Sequence, residues 1–243
     1  MARASQARVA TKLEAGAPPV EEAEPVSRHR TLSQLAYARF KTALFERRIE
    51  AGAFVSQSDL VTLLDVPLGP VRDALQALQA EGLVIIRARS GIEIAKADFA
   101  LIRNTYQLRF MLERQAVRRF AEAGRLERMK AMEAEHQALA KRLRGREITP
   151  AEAHRVSQID LGFHQEVVGV LANPLAERAY KQTHDFVQLI RADRLYGLSF
   201  AMVLRTVEEH LAIIRACRAR DPTAAEAALE AHFAKAMQRA MAM

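Results

Sequence analysis

The hydrophobic residues change their spacing along the first 96 positions of the chain. The segments 31–52, 56–64 and 70–82 carry apolar residues every three or four positions, which predicts three helices. The segments 83–87 and 92–95 are short apolar runs separated by a Ser-Gly pair, which predicts a β-hairpin. Three helices followed by a hairpin indicate a winged helix-turn-helix, whose third helix enters the major groove of DNA.

Residues 98–241 keep the helical spacing throughout. The helix starts in this part are marked by capping residues, and in three cases the cap is followed by proline. The starting positions are Asp98, Thr149-Pro150, Asn173-Pro174, Ser199 and Asp221-Pro222, with a further helix between Gly124 and Gly145. Six helices with short connections predict an all-α bundle. The fold class is therefore mainly α, with an N-terminal winged helix-turn-helix followed by a six-helix bundle.

Three regions follow from this pattern. Residues 1–30 mix small, charged and proline residues without an apolar period, so we expect a flexible N-terminal extension. Residues 31–96 are the predicted DNA-binding domain. Residues 98–241 are the predicted all-helical domain.

Composition narrows the class of protein. Half of the 243 residues are hydrophobic, which is enough for a substantial core, and the single cysteine, Cys217, excludes an internal disulfide framework. We find neither an apolar run of about 18 residues nor the apolar segment of a signal peptide, so we expect a cytoplasmic protein without a membrane partner. The net charge of +7 divides into +2 for residues 1–96 and +5 for the remainder. Charge alone therefore does not locate a DNA-binding region.

Four polar residues interrupt the predicted buried faces of the last helices. Asp160 and His164 lie one turn apart on an otherwise apolar stripe, while His210 and His232 take inward positions on two later helices. A buried carboxylate or imidazole without a partner costs several kcal/mol, as an order of magnitude. One oxygen and three nitrogen ligands suit a divalent ion such as zinc, nickel, manganese or iron better than calcium. We expect one metal ion, zinc or nickel first, although core histidines satisfied by ordinary hydrogen bonds are the alternative.

Two parts of the chain resemble a known family. The stretch from Leu60 to Gly82, with Pro-Val-Arg-Asp-Ala-Leu-Gln at 70–76, resembles the signature of the GntR-type bacterial transcription regulators. A second set of residues resembles the FadR-type ligand-binding domain of that family, called FCD, and consists of Asp160, His164, Asn173, His210 and His232. The resemblance covers about residues 31–241. It implies a winged helix-turn-helix at 31–96 and a metal- and effector-binding domain at 98–241.

The region before the recognition helix departs from the family pattern. Where the family usually carries a hydroxyl residue, an arginine and a threonine that cap this helix and contact DNA, the chain has Pro67, Leu68 and Gly69. Arg72 keeps a contact position of the family, and Ser58 stands where the preceding helix often offers a basic residue. Two wing arginines are the candidates for replacing the missing donors. The expected DNA-contacting residues are Ser58, Arg72, Arg87 and Arg89.

The function that the resemblance implies is that of a ligand-responsive transcription regulator. Such a protein, here expected to be a repressor, binds a palindromic operator on double-stranded DNA as a homodimer and is released by a small organic acid bound at the metal. Arg109 matches an arginine that faces the effector in many relatives. A guanidinium beside a metal can clamp a small carboxylate through paired hydrogen bonds. The alternative for Arg109 is a structural ion pair with a helix carboxylate.

Two other functions remain open from the sequence. A mononuclear metal-dependent hydrolase or lyase would use an open metal position to activate water. Against an enzyme, Glu166 should point away from the face of His164, and we find no nucleophile elbow, P-loop or dinucleotide fingerprint. A third interpretation is a dimerisation module in which the metal only joins helices. Release from DNA by an effector would distinguish the regulator, which we expect not to be an enzyme, from both.

Overall fold

The computed structural model describes residues 25–144, 149–193 and 200–242. In these ranges the elements are α1 Pro25–Phe45, β1 Phe54–Val55, α2 Gln57–Leu64, α3 Leu68–Ala80, β2 Val84–Arg87, β3 Gly91–Ile94, α4 Phe99–Ala123, α5 Leu126–Leu143, α6 Pro150–Gly169, α7 Pro174–Asp193, α8 Phe200–Arg218 and α9 Pro222–Met241. None of the described helices combines the length and the apolar character that a membrane span requires.

Helices α1 to α3 and the three strands form the winged helix-turn-helix, which confirms the predicted fold of this part. Strand β3 lies between β1 and β2 and pairs antiparallel with both. Strand β1 escaped prediction because two residues are too few to show an alternating pattern. One core joins the helices to the hairpin, and it includes Phe40, Leu44, Leu60, Leu75, Leu78, Leu83, Val84 and Ile92.

Helix α1 is longer at its start than the apolar spacing indicates. It begins at Pro25, so residues 25–30 of the predicted extension are helical, while residues 1–24 lie outside the described ranges. Polar contacts join this end of α1 to α3: His29 Nε2 and Ser33 Oγ both donate to Asp73 Oδ2, at 2.6 and 3.1 Å. A segment held by polar contacts shows no apolar period, which explains the difference.

The starts of α2 and α3 differ in their capping. Ser56 caps α2, because its hydroxyl accepts the Asp59 N–H while the Asp59 carboxylate accepts the Ser56 N–H, each at 3.0 Å. At the start of α3, Pro67 occupies the cap position and makes no side-chain hydrogen bond to the helix. The recognition helix therefore begins without the hydroxyl cap whose absence the sequence indicates.

Helices α4 to α9 form the predicted six-helix bundle. The predicted caps hold within the described residues: Asp98, Thr149, Asn173 and Asp221 each accept backbone N–H groups of the helix that follows. Ser199, also predicted as a cap, lies outside the described residues. The main core of the bundle contains Phe120, Met129, Phe163, Val167, Ile213, Ile214 and Leu229, and the polar cluster described below is embedded beside it.

Helix α7 connects the bundle to the winged helix-turn-helix. Its Leu189 is fully buried in the core of the winged helix-turn-helix. Asp185 pairs with Lys41 of α1, with Oδ2 and Nζ 2.5 Å apart, and Gln182 Nε2 donates to the Glu81 carbonyl oxygen at 3.0 Å. Because these contacts combine apolar burial with a buried ion pair, α7 fixes the position of one domain against the other.

Candidate metal and effector site

Three histidines from three helices converge inside the bundle. His164 of α6, His210 of α8 and His232 of α9 each place one ring nitrogen within 4.8 Å of the other two. All three side chains are buried. The helical period predicts this convergence, because each histidine takes a position that otherwise carries an apolar core residue.

The outer nitrogen of each ring has a partner outside the cluster. His164 Nδ1 lies 2.5 Å from Glu113 Oε2, and His232 Nδ1 lies 2.9 Å from Glu209 Oε2. Each carboxylate accepts the ring N–H. These bonds place the hydrogen on Nδ1 and leave the lone pair of Nε2 for the interior of the cluster.

A chain of two rings fixes the hydrogen positions of His210. His136 Nδ1 lies 2.8 Å from the Met132 carbonyl oxygen, which can only accept, so His136 carries its hydrogen on Nδ1. Its Nε2 then accepts from His210 Nδ1 at 3.3 Å. The Nε2 atom of His210 is left with its lone pair and, like Nε2 of His164, has no hydrogen-bond partner among the described residues.

These residues fit a divalent metal ion. Burial lowers the pKa of His164 and of His210 well below 6.5, so both rings are neutral, which is the form that binds metals. Metal-bound histidines almost always give their other ring N–H to a carboxylate or a similar acceptor, and each ring of this cluster does so. Ordinary hydrogen bonds satisfy only the outer nitrogen, Nδ1, of His164 and of His210. The alternative of core histidines with all their hydrogen bonds made therefore does not account for the two buried Nε2 atoms.

Asp160 lies beside the cluster but is not one of the mutually close group. Its Oδ1 is 3.6 Å from His210 Nε2, and its Oδ2 accepts from Arg191 Nη2 at 3.1 Å. Burial raises the pKa of this carboxyl, but the neighbouring positive groups, with Arg191 first among them, together outweigh burial and hold the pKa well below its usual value. Asp160 is therefore a carboxylate with one oxygen directed at His210, and its role as a fourth ligand stays a prediction.

Arg109 forms the ion pair with a helix carboxylate that the sequence offered as the alternative to effector binding, and it also keeps a free hydrogen-bond donor. Its Nε donates to Glu113 Oε1 at 2.8 Å, and its Nη2 has no partner among the described residues. The guanidinium lies over the rings of Tyr180 and Phe233, with centroids 5.5 and 5.1 Å away. Since Glu113 also accepts from His164, one carboxylate links Arg109 to the histidine cluster.

A cavity of about 310 Å³ opens onto the cluster. Asp160 and the three histidines line it together with apolar side chains such as Ile159, Val203 and Val207. Among the residues that the structure describes, its lining contains one carboxylate and four arginines, namely Arg47, Arg109, Arg191 and Arg239. Positive groups outnumber negative ones, so the cavity favours an anionic guest.

The sequence does not predict the contacts that several groups make around the site. It places Glu209 next to His210 and leaves His136 as a residue of the surface or behind a metal ligand, and the four-residue spacing of Arg109 and Glu113 indicates a helix ion pair. The structure shows that Glu113, Glu209 and His136 all reach the histidines. Arg191 shows no pattern that separates it from a solvated surface arginine. Such partners depend on tertiary structure and were beyond the reach of periodicity.

The predicted DNA-contacting residues are all exposed. Arg72 projects from α3, where its Nε donates to Gln57 Oε1 at 2.9 Å. In the wing, Arg87 pairs with Glu93, with Nη2 and Oε2 2.8 Å apart, whereas Arg89 occupies the turn with a φ of 66°. Ser58 lies in the first turn of α2. Their contacts with DNA stay predictions.

Two family models match the chain. Residues 32–94 match the bacterial regulatory proteins of the gntR family, and residues 104–235 match the FCD domain. The second match alone covers more than half of the chain.

Individual proteins agree with these matches. The chain is 24% identical to the uncharacterized HTH-type transcriptional regulator BphR of Paraburkholderia xenovorans over 86% of this chain and 85% of that protein. It is 28% identical to the HTH-type transcriptional repressor NanR of Citrobacter rodentium over 73% of each. Among solved structures, E. coli McbR/YncC shares the fold, with a TM-score of 0.68 at 15% identity over 86% of this chain and 96% of that one. With both domains matched in order, the chain belongs to the GntR family of transcription regulators, and its FCD domain fits the FadR subfamily.

Proposed function

We propose that this regulator is a repressor that binds a palindromic operator as a homodimer and leaves it when a small organic acid binds at a metal ion in the FCD domain. One observation carries the proposal: three buried imidazoles face one another in a cavity whose lining, within the described part of the chain, has four arginines and one carboxylate. A metal ion and an anion are the two guests that this combination of groups suits.

The metal would be held by His164, His210 and His232, with Asp160 as the fourth ligand, and zinc or nickel is the expected ion. When bound, the ion supplies positive charge and a coordination position for a carboxylate oxygen. The protein contributes the orientation of the rings, because Glu113, His136 and Glu209 hold their outer nitrogens.

The acid would be oriented by arginines. The free Nη2 of Arg109 lies in a buried position of the cavity, where a hydrogen bond to a carboxylate is stronger than in water. Arg191 of α7, which pairs with Asp160, also lines the cavity and adds a second cation. A neutral guest would leave Arg109 Nη2 without a charged acceptor, so an acid is the better match.

Operator binding would rest on α3 and the wing. One recognition helix reads too few base pairs for useful specificity, so we expect two copies on a two-fold symmetric site. The relative NanR is named a repressor, which favours repression here. Because α3 lacks the usual cap and donors, we expect readout to depend more on Arg72 and on DNA shape.

No observation favours the enzyme alternative. Asp160, the one carboxylate among the described residues that line the cavity, is paired with Arg191. Glu166, considered as a base from the sequence, pairs instead with Arg128, with Oε2 and Nε 3.0 Å apart. Glu209 is occupied by His232 and Arg239.

Metal binding can be tested on the protein itself. After loading with zinc or nickel and desalting, wild type should retain one ion per chain by elemental analysis, and a chelator should lower its melting temperature. His210→Ala should retain none. If the chelator does not change the melting temperature of wild type, and wild type retains no metal after loading, the proposed metal site is wrong.

The DNA and acid parts have separate tests. Gel shifts on the region upstream of its own gene should show binding at low salt. Arg72→Ala should weaken this binding strongly, whereas replacement of Arg119, an exposed arginine on α4, by alanine should weaken it little.

The acid site is tested by Arg109→Lys, which keeps a charge beside Glu113 but removes the free Nη2. Calorimetry should show that this variant retains metal and binds carboxylates more weakly. If carboxylates bind both proteins equally, or a neutral compound binds best, the acid assignment is wrong.

A further inference from the structure

The cavity is closed on one side by the DNA-binding domain. Phe45, the last residue of α1, and Arg47, two positions later, line it together with Gln188 and Arg191 of α7. The same helix α7 makes the domain contact through Asp185 and its neighbours. A ligand in this cavity therefore lies where the two domains meet.

The backbone conformation of Arg47 does not explain why an arginine is present. The Arg48 N–H donates to the Ala43 carbonyl at 2.7 Å and the Arg47 N–H to the Leu44 carbonyl at 3.1 Å, which is the hydrogen-bond pattern of a Schellman helix end. Arg47 holds the left-handed position of that motif, with a φ of 62°. Glycine is the favoured residue there because a side chain is strained in this conformation. The presence of an arginine at position 47 therefore has to be explained by its side chain and not by the backbone.

The lack of an ion pair distinguishes Arg47 from the other described arginines of the cavity. The remaining three pair with carboxylates: Arg109 with Glu113, Arg191 with Asp160 and Arg239 with Glu209. Arg47 makes no ion pair with the residues that the structure describes, and its side chain is exposed at the cavity. An exposed cation in the lining of the cavity is available to a second anionic group of a guest.

We infer that Arg47 is an effector-binding residue that selects acids with an anionic group at each end. One end would occupy the inner site with the histidines and Arg109, and the other would bind the Arg47 guanidinium. The inference rests on the proposed function and names its ligand class more narrowly. A diacid would then join the two domains, because Arg47 follows α1, which packs on the recognition helix. A monoacid would contact the inner site alone.

The test compares acids that differ only in the second carboxylate. Calorimetry on the zinc-loaded full chain uses butyrate against succinate, hexanoate against adipate and octanoate against suberate. Wild type should prefer the diacid of at least one length, and Arg47→Gln and Arg47→Gly should each reduce that preference roughly tenfold, the effect of one charge-assisted hydrogen bond. Affinity for the monoacids should not change.

Two variants control for structure. Arg48→Gln alters the neighbouring arginine, which pairs with Glu46 and does not line the cavity, and it should keep the diacid preference. Arg47→Gly places the favoured residue in the left-handed position, so its melting temperature should not fall. If wild type binds acids without preferring any diacid, or the preference survives in both Arg47 variants, the inference is wrong and the inner acid site stands. If neither monoacids nor diacids bind zinc-loaded wild type, both the inference about Arg47 and the proposed function are wrong.

Discussion

Replacing Glu113 by glutamine tests how the metal site depends on a residue that does not face the metal. The Glu113 carboxylate is fully buried and accepts from two donors, Arg109 Nε at 2.8 Å and His164 Nδ1 at 2.5 Å. Burial raises the pKa of Glu113, and the adjacent Arg109 opposes that shift and favours the carboxylate. A glutamine of the same shape accepts with one terminal atom only, so its amide N–H must meet one of the two donors.

The expected magnitudes follow from burial. Removing one partner of a buried ion pair costs about 3–5 kcal/mol, because the other charge stays uncompensated. The rings of Tyr180 and Phe233 beside the guanidinium reduce that cost, so we expect a loss near the lower end, about 3 kcal/mol in the free energy of unfolding. Losing the outer partner of a metal-bound histidine lowers metal affinity roughly 10- to 100-fold.

The assay is urea unfolding followed by circular dichroism, on metal-free and zinc-loaded protein, with a chelator competition for metal affinity. Glu226→Gln is the matched control, because Glu226 also accepts from two α4 donors, Arg114 and Arg118, but does so at the surface. It should destabilise the protein much less than Glu113→Gln does and leave metal affinity unchanged. Equal effects of the two variants on unfolding and on metal affinity would refute the reasoning about Glu113.

Two other substitutions test contacts described above, one beside the histidine cluster and one between the domains. His136→Phe removes the acceptor of His210 Nδ1 while keeping a ring, so metal affinity should fall at least about tenfold in chelator competition, and an unchanged affinity would mean that His136 does not orient His210. Lys41→Met leaves Asp185 buried without its partner and should cost about 3–5 kcal/mol in urea unfolding near pH 7. Because burial raises the pKa of Asp185, the folded variant takes up the carboxyl proton at a higher pH than its unfolded state, so its deficit against wild type should narrow as the pH falls toward about 4. A deficit that stays constant with pH would show that Asp185 does not take up that proton.

The sequence predicted those features that local pattern controls. The helical period of the apolar residues located His164, His210 and His232 on inward faces, and the side-chain caps Thr149 and Asp221 start their helices as expected. Both features depend on spacing within one element, so they can be read without knowledge of the fold. The winged helix-turn-helix followed in the same way from three helical segments and a hairpin.

The remaining features depend on contacts between distant segments. The pairing of Asp160 with Arg191 joins two helices whose sequences show no complementary pattern, and the proximity of Glu113 to His164 spans 51 positions. The start of α1 was missed because residues 25–30 show no apolar period, and the contact of His29 with Asp73 is polar and joins distant segments. The left-handed conformation of Arg47 has no sequence signal at all, since glycine is the residue that normally marks it.

The central claim is that an acid bound at the metal controls operator binding. The most direct measurement is the fluorescence anisotropy of a labelled operator held by the full chain, titrated with the tightest-binding carboxylate of the calorimetric series, with zinc-loaded and with metal-stripped protein. The ligand shifts DNA affinity only as far as it binds one state of the protein better than the other. The account predicts that the acid releases DNA from the zinc-loaded protein and has no effect on the metal-stripped protein. Equal release from both proteins, or no release from the zinc-loaded protein while the acid is bound, would contradict it.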